Sequence, residues 1–195
     1  MVPNVLPLAA LVVASFGGSA LAIENRDGYE SPGMTLVVQN RHNQPIIMSE
    51  DQYTLMPNDP TLAPGEHKIF KTGQWSGNFK VNEKKEGNTG QDTLVEFTVN
   101  NEGITLDVSY IAAFTLPVVC GCREDGAENV TLVTGCNIDL KKLNGGSCPP
   151  ETHNGHGGCM NPMRSRPGDI GATSFFKPCE GAGYTHEGDH MVCLP

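Results

Sequence analysis

Basic residues are scarce in this sequence, and no cysteine occurs before position 120. Thirteen Lys and Arg stand against 22 Asp and Glu, giving a formal net charge of −9. No basic patch of the kind that follows a phosphate backbone occurs, which argues against nucleic acid as a partner. Also missing are a Gly-x-Ser-x-Gly elbow, a phosphate loop and a dinucleotide fingerprint, so no cofactor is implied. Beyond the N-terminal stretch no apolar run approaches transmembrane length, so an integral membrane protein is not expected. An acidic surface of this kind suits soluble life outside the cell and tolerates neutral ligands such as glycans.

The N-terminus is where apolar residues concentrate. Val5 to Phe16 carries no charge and is too short to span a bilayer. The small residues Gly17-Gly18-Ser19-Ala20-Leu21-Ala22 follow, with Ala20 and Ala22 at the −3 and −1 positions of an A-x-A cleavage site. Residues 1–22 therefore read as a signal peptide and the mature chain as 23–195, starting at Ile23, although no Lys or Arg precedes the apolar stretch. A buried helix or a membrane anchor is the alternative, and Pro7 and the paired glycines suit neither. In an exported chain the seven cysteines, all at or beyond position 120, read as a disulfide framework. Asn129-Val130-Thr131 is a glycosylation sequon and fits the same secreted, extracellular location.

Composition divides the mature chain. Residues 34–118 hold short runs rich in Val, Ile, Thr and Phe, bounded by Gly, Pro, Asn or Asp, and this pattern predicts strands at Thr35–Asn40, Pro45–Met48, His67–Lys71, Gly77–Asn82, Thr93–Asn100 and Ile104–Tyr110. No run in this half has helical periodicity, so the expected class is all-β, an antiparallel sandwich or flattened barrel. Residues 119–195 are rich in Gly, Pro and Cys and predict a loop lobe stapled by disulfides.

One hairpin can be read to the residue. Val95, Phe97 and Val99 alternate with Leu94, Glu96 and Thr98; Ile104, Leu106, Val108 and Tyr110 alternate with Thr105, Asp107 and Ser109. The connection Asn100-Asn101-Glu102-Gly103 pairs Val99 with Ile104, whether its loop has two or four residues. Glu96 then faces Asp107 on the polar side. Like charges directly opposite repel, so a sheet selected for stability alone would avoid them. Such a pair can accept hydrogen bonds from sugar hydroxyls or serve as the two carboxyls of a glycosidase. A solvated face neutralised by Lys or Arg is the bland alternative.

Other chemistry-bearing residues point less sharply. His153 and His156 share one loop, and His186 and His190 flank Asp189 in another; neither loop looks helical, so no metal site is expected. Ile23 at the mature N-terminus rules out a copper site built on an N-terminal histidine. Trp75, the only tryptophan, is either a sugar-stacking platform or a packed anchor.

Taken in order, several motifs resemble the thaumatin-like proteins. Thr93-Leu94-Val95-Glu96-Phe97-Thr98-Val99, Leu106-Asp107-Val108-Ser109 and Phe114-Thr115-Leu116-Pro117 are similar to a central run of that family. So are Cys148-Pro149-Pro150 through Gly157-Gly158-Cys159, Ser174-Phe175-Phe176-Lys177-Pro178-Cys179, Val38-Gln39-Asn40-Arg41 and Leu62-Ala63-Pro64-Gly65-Glu66. The resemblance implies a β-sandwich with a shortened second lobe. It implies the bridges Cys148–Cys159 and Cys136–Cys179, and Cys193 with either Cys120 or Cys122. It gives Glu96 and Asp107 a role in an acidic cleft whose arginine position holds Asn82 and whose second aspartate position holds Ala112. Asp189 or Glu187 would replace the last carboxylate, and His42 stands where the family has a cysteine. With the cleft so thinned, the expectation is a secreted binder of β-1,3-glucan or a related cell-wall polysaccharide, in wall or host–microbe contact. Weak endo-β-1,3-glucanase activity, or a protein-binding effector or antimicrobial acting through its loops, is the alternative.

Overall fold

A computed structural model describes residues 10–16, 34–50, 55–56, 58, 60–83, 91–100, 103–124, 132–164 and 171–185. In chain order the strands are β1 (Ala10–Phe16), β2 (Met34–Asn40), β3 (Ile46–Glu50), β4 (Thr61–Leu62), β5 (His67–Thr72), β6 (Trp75–Asn82), β7 (Thr93–Asn100), β8 (Gly103–Ser109), β9 (Ala113–Phe114), β10 (Val118–Glu124), β11 (Leu132–Cys136) and β12 (Cys159–Met160). They build two five-stranded sheets, ordered β11-β10-β1-β2-β5 and β4-β3-β6-β7-β8, and a small β12-β9 pair. All neighbours are antiparallel except β1 and β10. Helix is limited among the described residues to the turn α1 (Leu140–Leu143), capped by the Asp139 carboxylate on the Lys142 amide, and a 3-10 turn at Lys177–Cys179.

Period-two alternation explains how the sheets meet. In β2, Leu36 and Val38 are wholly buried, and in β10 so are Val118 and Cys120. From the other sheet Phe79, Val81, Val95, Phe97, Leu106 and Val108 join them in one hydrophobic core. Each such side chain contributes about 1.5–3 kcal/mol by leaving water. Tyr110, also fully buried, ties β8 to the first sheet: its hydroxyl accepts from the Cys136 amide (3.1 Å) and lies 3.2 Å from the Val118 carbonyl oxygen. Burial pushes its hydroxyl pKa well above the usual tyrosine value.

All six predicted strands are present, within about two residues of their expected ends. Val99 pairs with Ile104 and Glu96 with Asp107, and the Asn100–Gly103 pairing fixes the tighter, two-residue loop. Two features differ from the expected plan. The first sheet does not stop at residue 118, because β10 and β11 continue it to Cys136. Cysteine and glycine in Val118–Glu124 disguise a strand whose buried members include Val118, Val119 and Cys120. The apolar run Ala10–Phe16, within the expected signal peptide, is moreover the middle strand between β10 and β2.

The lobe after Cys136 is fastened covalently. Cys136–Cys179 and Cys148–Cys159 are bridged, two of the three pairs that the resemblance implies. Cys120, offered with Cys122 as the partner of Cys193, is a buried thiol. Cys193, the sequon at Asn129, and the candidates Glu187 and Asp189 lie outside the described residues, as do His186 and His190.

Candidate functional site

The groove-bearing face is built by the outward residues of β6, β7 and β8. Register lines these up in rows: Ser76, Thr98 and Thr105; then Asn78, Glu96 and Asp107; then Lys80, Leu94 and Ser109. A groove of about 410 Å³ opens over the first two rows, and Tyr184 closes one side of it. Glu96 and Asp107 are thus neighbours in space as well as in register, with Cβ atoms roughly 5 Å apart.

Their surroundings differ. Asp107 is 8% exposed, whereas Glu96 keeps much of its surface in solvent. Even so, partial burial raises the Glu96 pKa above its ordinary value. The amide oxygen of Asn78 is buried and accepts no hydrogen bond from any described residue. Beside this row the Ser76 and Thr98 hydroxyls bond each other at 2.8 Å. The lining thus presents carboxylates, an amide oxygen, hydroxyls and one aromatic ring. That set accepts hydrogen bonds from ligand hydroxyls and offers no basic side chain to an anion.

Tyr184 comes from the lobe and is held by main-chain bonds. Its N–H donates to the Val108 carbonyl (2.9 Å), and its own carbonyl accepts from Tyr110 (2.7 Å), forming a parallel bridge to Ser109. This close approach is open only to glycine at 183, where a Cβ would lie 2.8 Å from the Val108 carbonyl oxygen. Sequence patterning gave no sign of Tyr184, because the contact is made between segments some 75 residues apart and has no local periodicity.

Asn82 does not line the groove. The β6–β7 register puts Asn78, not Asn82, across from Glu96. Four residues further along β6, Asn82 donates to Asp92 at 2.7 Å, and its amide nitrogen lies 3.5 Å from the His156 carbonyl oxygen. Asn82 was named only as the residue at the arginine position implied by the resemblance, and the connection from residue 83 to 92 is too long for a turn to show which residue of β6 faces Glu96. Ala112 is also elsewhere, lining a separate cavity of about 230 Å³ with Gln91, Glu151, Asn161 and Arg164. His42 makes an ion pair with Glu83 at 2.5 Å.

Trp75 faces away from the groove. It alternates with Ser76, stacks on Phe97 (centroids 4.2 Å apart, planes 26° apart) and packs against the core. The packed-anchor role describes it, and the sugar-platform role for this groove does not. Among the described residues no group of three or more His, Cys, Asp or Glu is placed to hold a metal ion, and no helix is long and apolar enough to cross a membrane. No protein-family model matches the chain, and no curated protein matches it either.

Proposed function

We propose that this chain is a secreted, thaumatin-like binding protein for β-1,3-glucan or a related neutral cell-wall polysaccharide. The observation that carries the reading is the Glu96–Asp107 pair, set across two strands in an open groove walled by hydroxyls, Asn78 and Tyr184. Carboxylates directly opposite each other destabilise a sheet, and polyols supply the hydroxyl donors that such a groove needs. The ring of Tyr184 offers the apolar surface that a pyranose ring presses against. Two disulfides fit an oxidising compartment outside the cytosol.

The test is retention on insoluble β-1,3-glucan of the wild type, Glu96→Ala, Asp107→Ala and the double variant. Each single change is expected to weaken retention about tenfold or more, the loss that accompanies a charged hydrogen bond of about 1.5–3 kcal/mol. Equal retention by all four proteins would reject this groove as the site.

Weak glucanase action is the second reading, and one observation favours it. Burial raises the pKa of Glu96, the direction that suits a general acid. Retaining glycosidases likewise hold two carboxyl groups close together, about 5–5.5 Å apart, and the register sets Glu96 directly across from Asp107. Under this reading, reducing-sugar release from laminarin disappears in Glu96→Gln and in Asp107→Asn. Release that persists when both are replaced would rule it out.

A further inference from the structure

Beyond the groove, the same strand face carries a third carboxylate, and it is sealed. Asp92 is 1% exposed and lies next to Asn82, two residues beyond Leu94 in the alternation that leads to Glu96. One carboxylate oxygen accepts from the Asn82 amide at 2.7 Å; the other is buried and accepts nothing from any described residue. Among the described residues one neutral donor serves this carboxylate, far too little to replace its hydration when charged.

Against this corner lies the loop closed by the Cys148–Cys159 bridge, which brings His156 to face Asp92. Asn154 organises that loop, its side-chain oxygen accepting from the His156 and Gly158 amides at 2.8 Å each. The Asn154 side-chain nitrogen then docks the loop by donating to the Gln91 carbonyl at 2.7 Å, one residue from Asp92. Asn82 links the two parts, since its amide nitrogen serves Asp92 and also approaches the His156 carbonyl oxygen. From outside, the exposed Lys141 ammonium holds the Gly157 carbonyl at 3.1 Å.

We propose that residues 149–158 form a proton-dependent cover, closed over the Asn82–Asp92 pair while Asp92 is protonated and lifted when Asp92 ionises. Among the described residues the titratable groups facing Asp92 are Lys80 from β6 and His156 from the loop itself. Both favour the carboxylate, but burial outweighs them and raises its pKa from 3.8 to about 6. The closed form therefore holds the proton more tightly than an opened form in which Asp92 meets water. Closure is fully favoured below the ordinary value and is lost as pH rises through about 6. The rise from 3.8 to about 6 corresponds to roughly a hundredfold change in the closed-to-open ratio. Because the cover sits at the far end of the groove-bearing face, acid shortens the accessible face and neutral pH lengthens it. This device rests on the loop and Asp92, not on the identity of the groove's ligand.

Hydrogen–deuterium exchange of residues 149–161 in the full chain, corrected for intrinsic rates, tests it between pH 4.5 and 8. Protection is expected to fall at least tenfold across pH 6 in the wild type, while Asp92→Asn, which keeps the shape without the charge, stays protected throughout. A pH-independent wild-type profile, or a variant that follows the wild type, would overturn the proposal. Should Asp92→Asn not fold, the wild type decides alone: protection that falls in step with the Asp92 carboxyl titration followed by NMR supports the cover, and protection that stays constant through that titration refutes it.

Discussion

Gly135→Val is expected to lower the melting temperature by roughly 10 °C or more, or to leave no folded protein, a loss of about 4 kcal/mol. Two independent effects add at this position. Gly135 has φ of +94°, a backbone region that a β-branched residue enters only under strain. Any Cβ there would also collide with the Val118 carbonyl oxygen and come within 2.8 Å of a Val108 methyl. Neither partner can yield, since Val118 is paired in β10 with β11 and Val108 is wholly buried in the core. Gly145→Ala is the control. It has φ of +74°, but nothing lies within 4 Å of its added Cβ, so only the backbone term of about 1 kcal/mol remains. Thermal melts of the two variants separate collision from conformation.

Removing the Cys136–Cys179 bridge as the double alanine variant is expected to lower stability by about 4 kcal/mol, the loop-entropy value for its span. That bridge closes a separation of 43 residues, whereas Cys148–Cys159 closes 11, for which the same relation gives about 3 kcal/mol. Both sulfurs of the longer bridge are buried against the core, at 3% and 0% exposure. Its loss also frees the segment leading to Tyr184, which depends on main-chain bonds to β8 and β11. Groove binding should therefore weaken with stability in this variant and hold in the Cys148→Ala/Cys159→Ala variant. Denaturant titration alongside glucan retention reads both effects.

Legibility from sequence followed the range of the interactions. The β7–β8 hairpin was readable to single residues because both strands alternate strictly and their short connection leaves one register. That hairpin alone brought Glu96 opposite Asp107. Asn78 and Tyr184 were not readable: the first depends on a register hidden by a long connection, the second on a contact made by a lobe without periodicity. The strands β10 and β11 escaped notice because their glycines and cysteines resemble loop composition. Gly135 and Cys136 are instead the close-approach and anchoring points of the edge strand β11. Asp92 was unremarkable in sequence, one acidic residue among 22 Asp and Glu, and only the fold shows it buried against Asn82.

The central claim is that the Glu96–Asp107 groove is a glycan site. An NMR titration of the chain with a β-1,3-gluco-oligosaccharide tests it most directly, run beside Glu96→Gln/Asp107→Asn, which preserves shape and removes both charges. The account predicts shift changes gathered on Ser76–Asn78, Glu96–Thr98, Thr105–Asp107 and Tyr184, and their disappearance in the variant. Changes centred elsewhere, or unaltered by the double substitution, would contradict it.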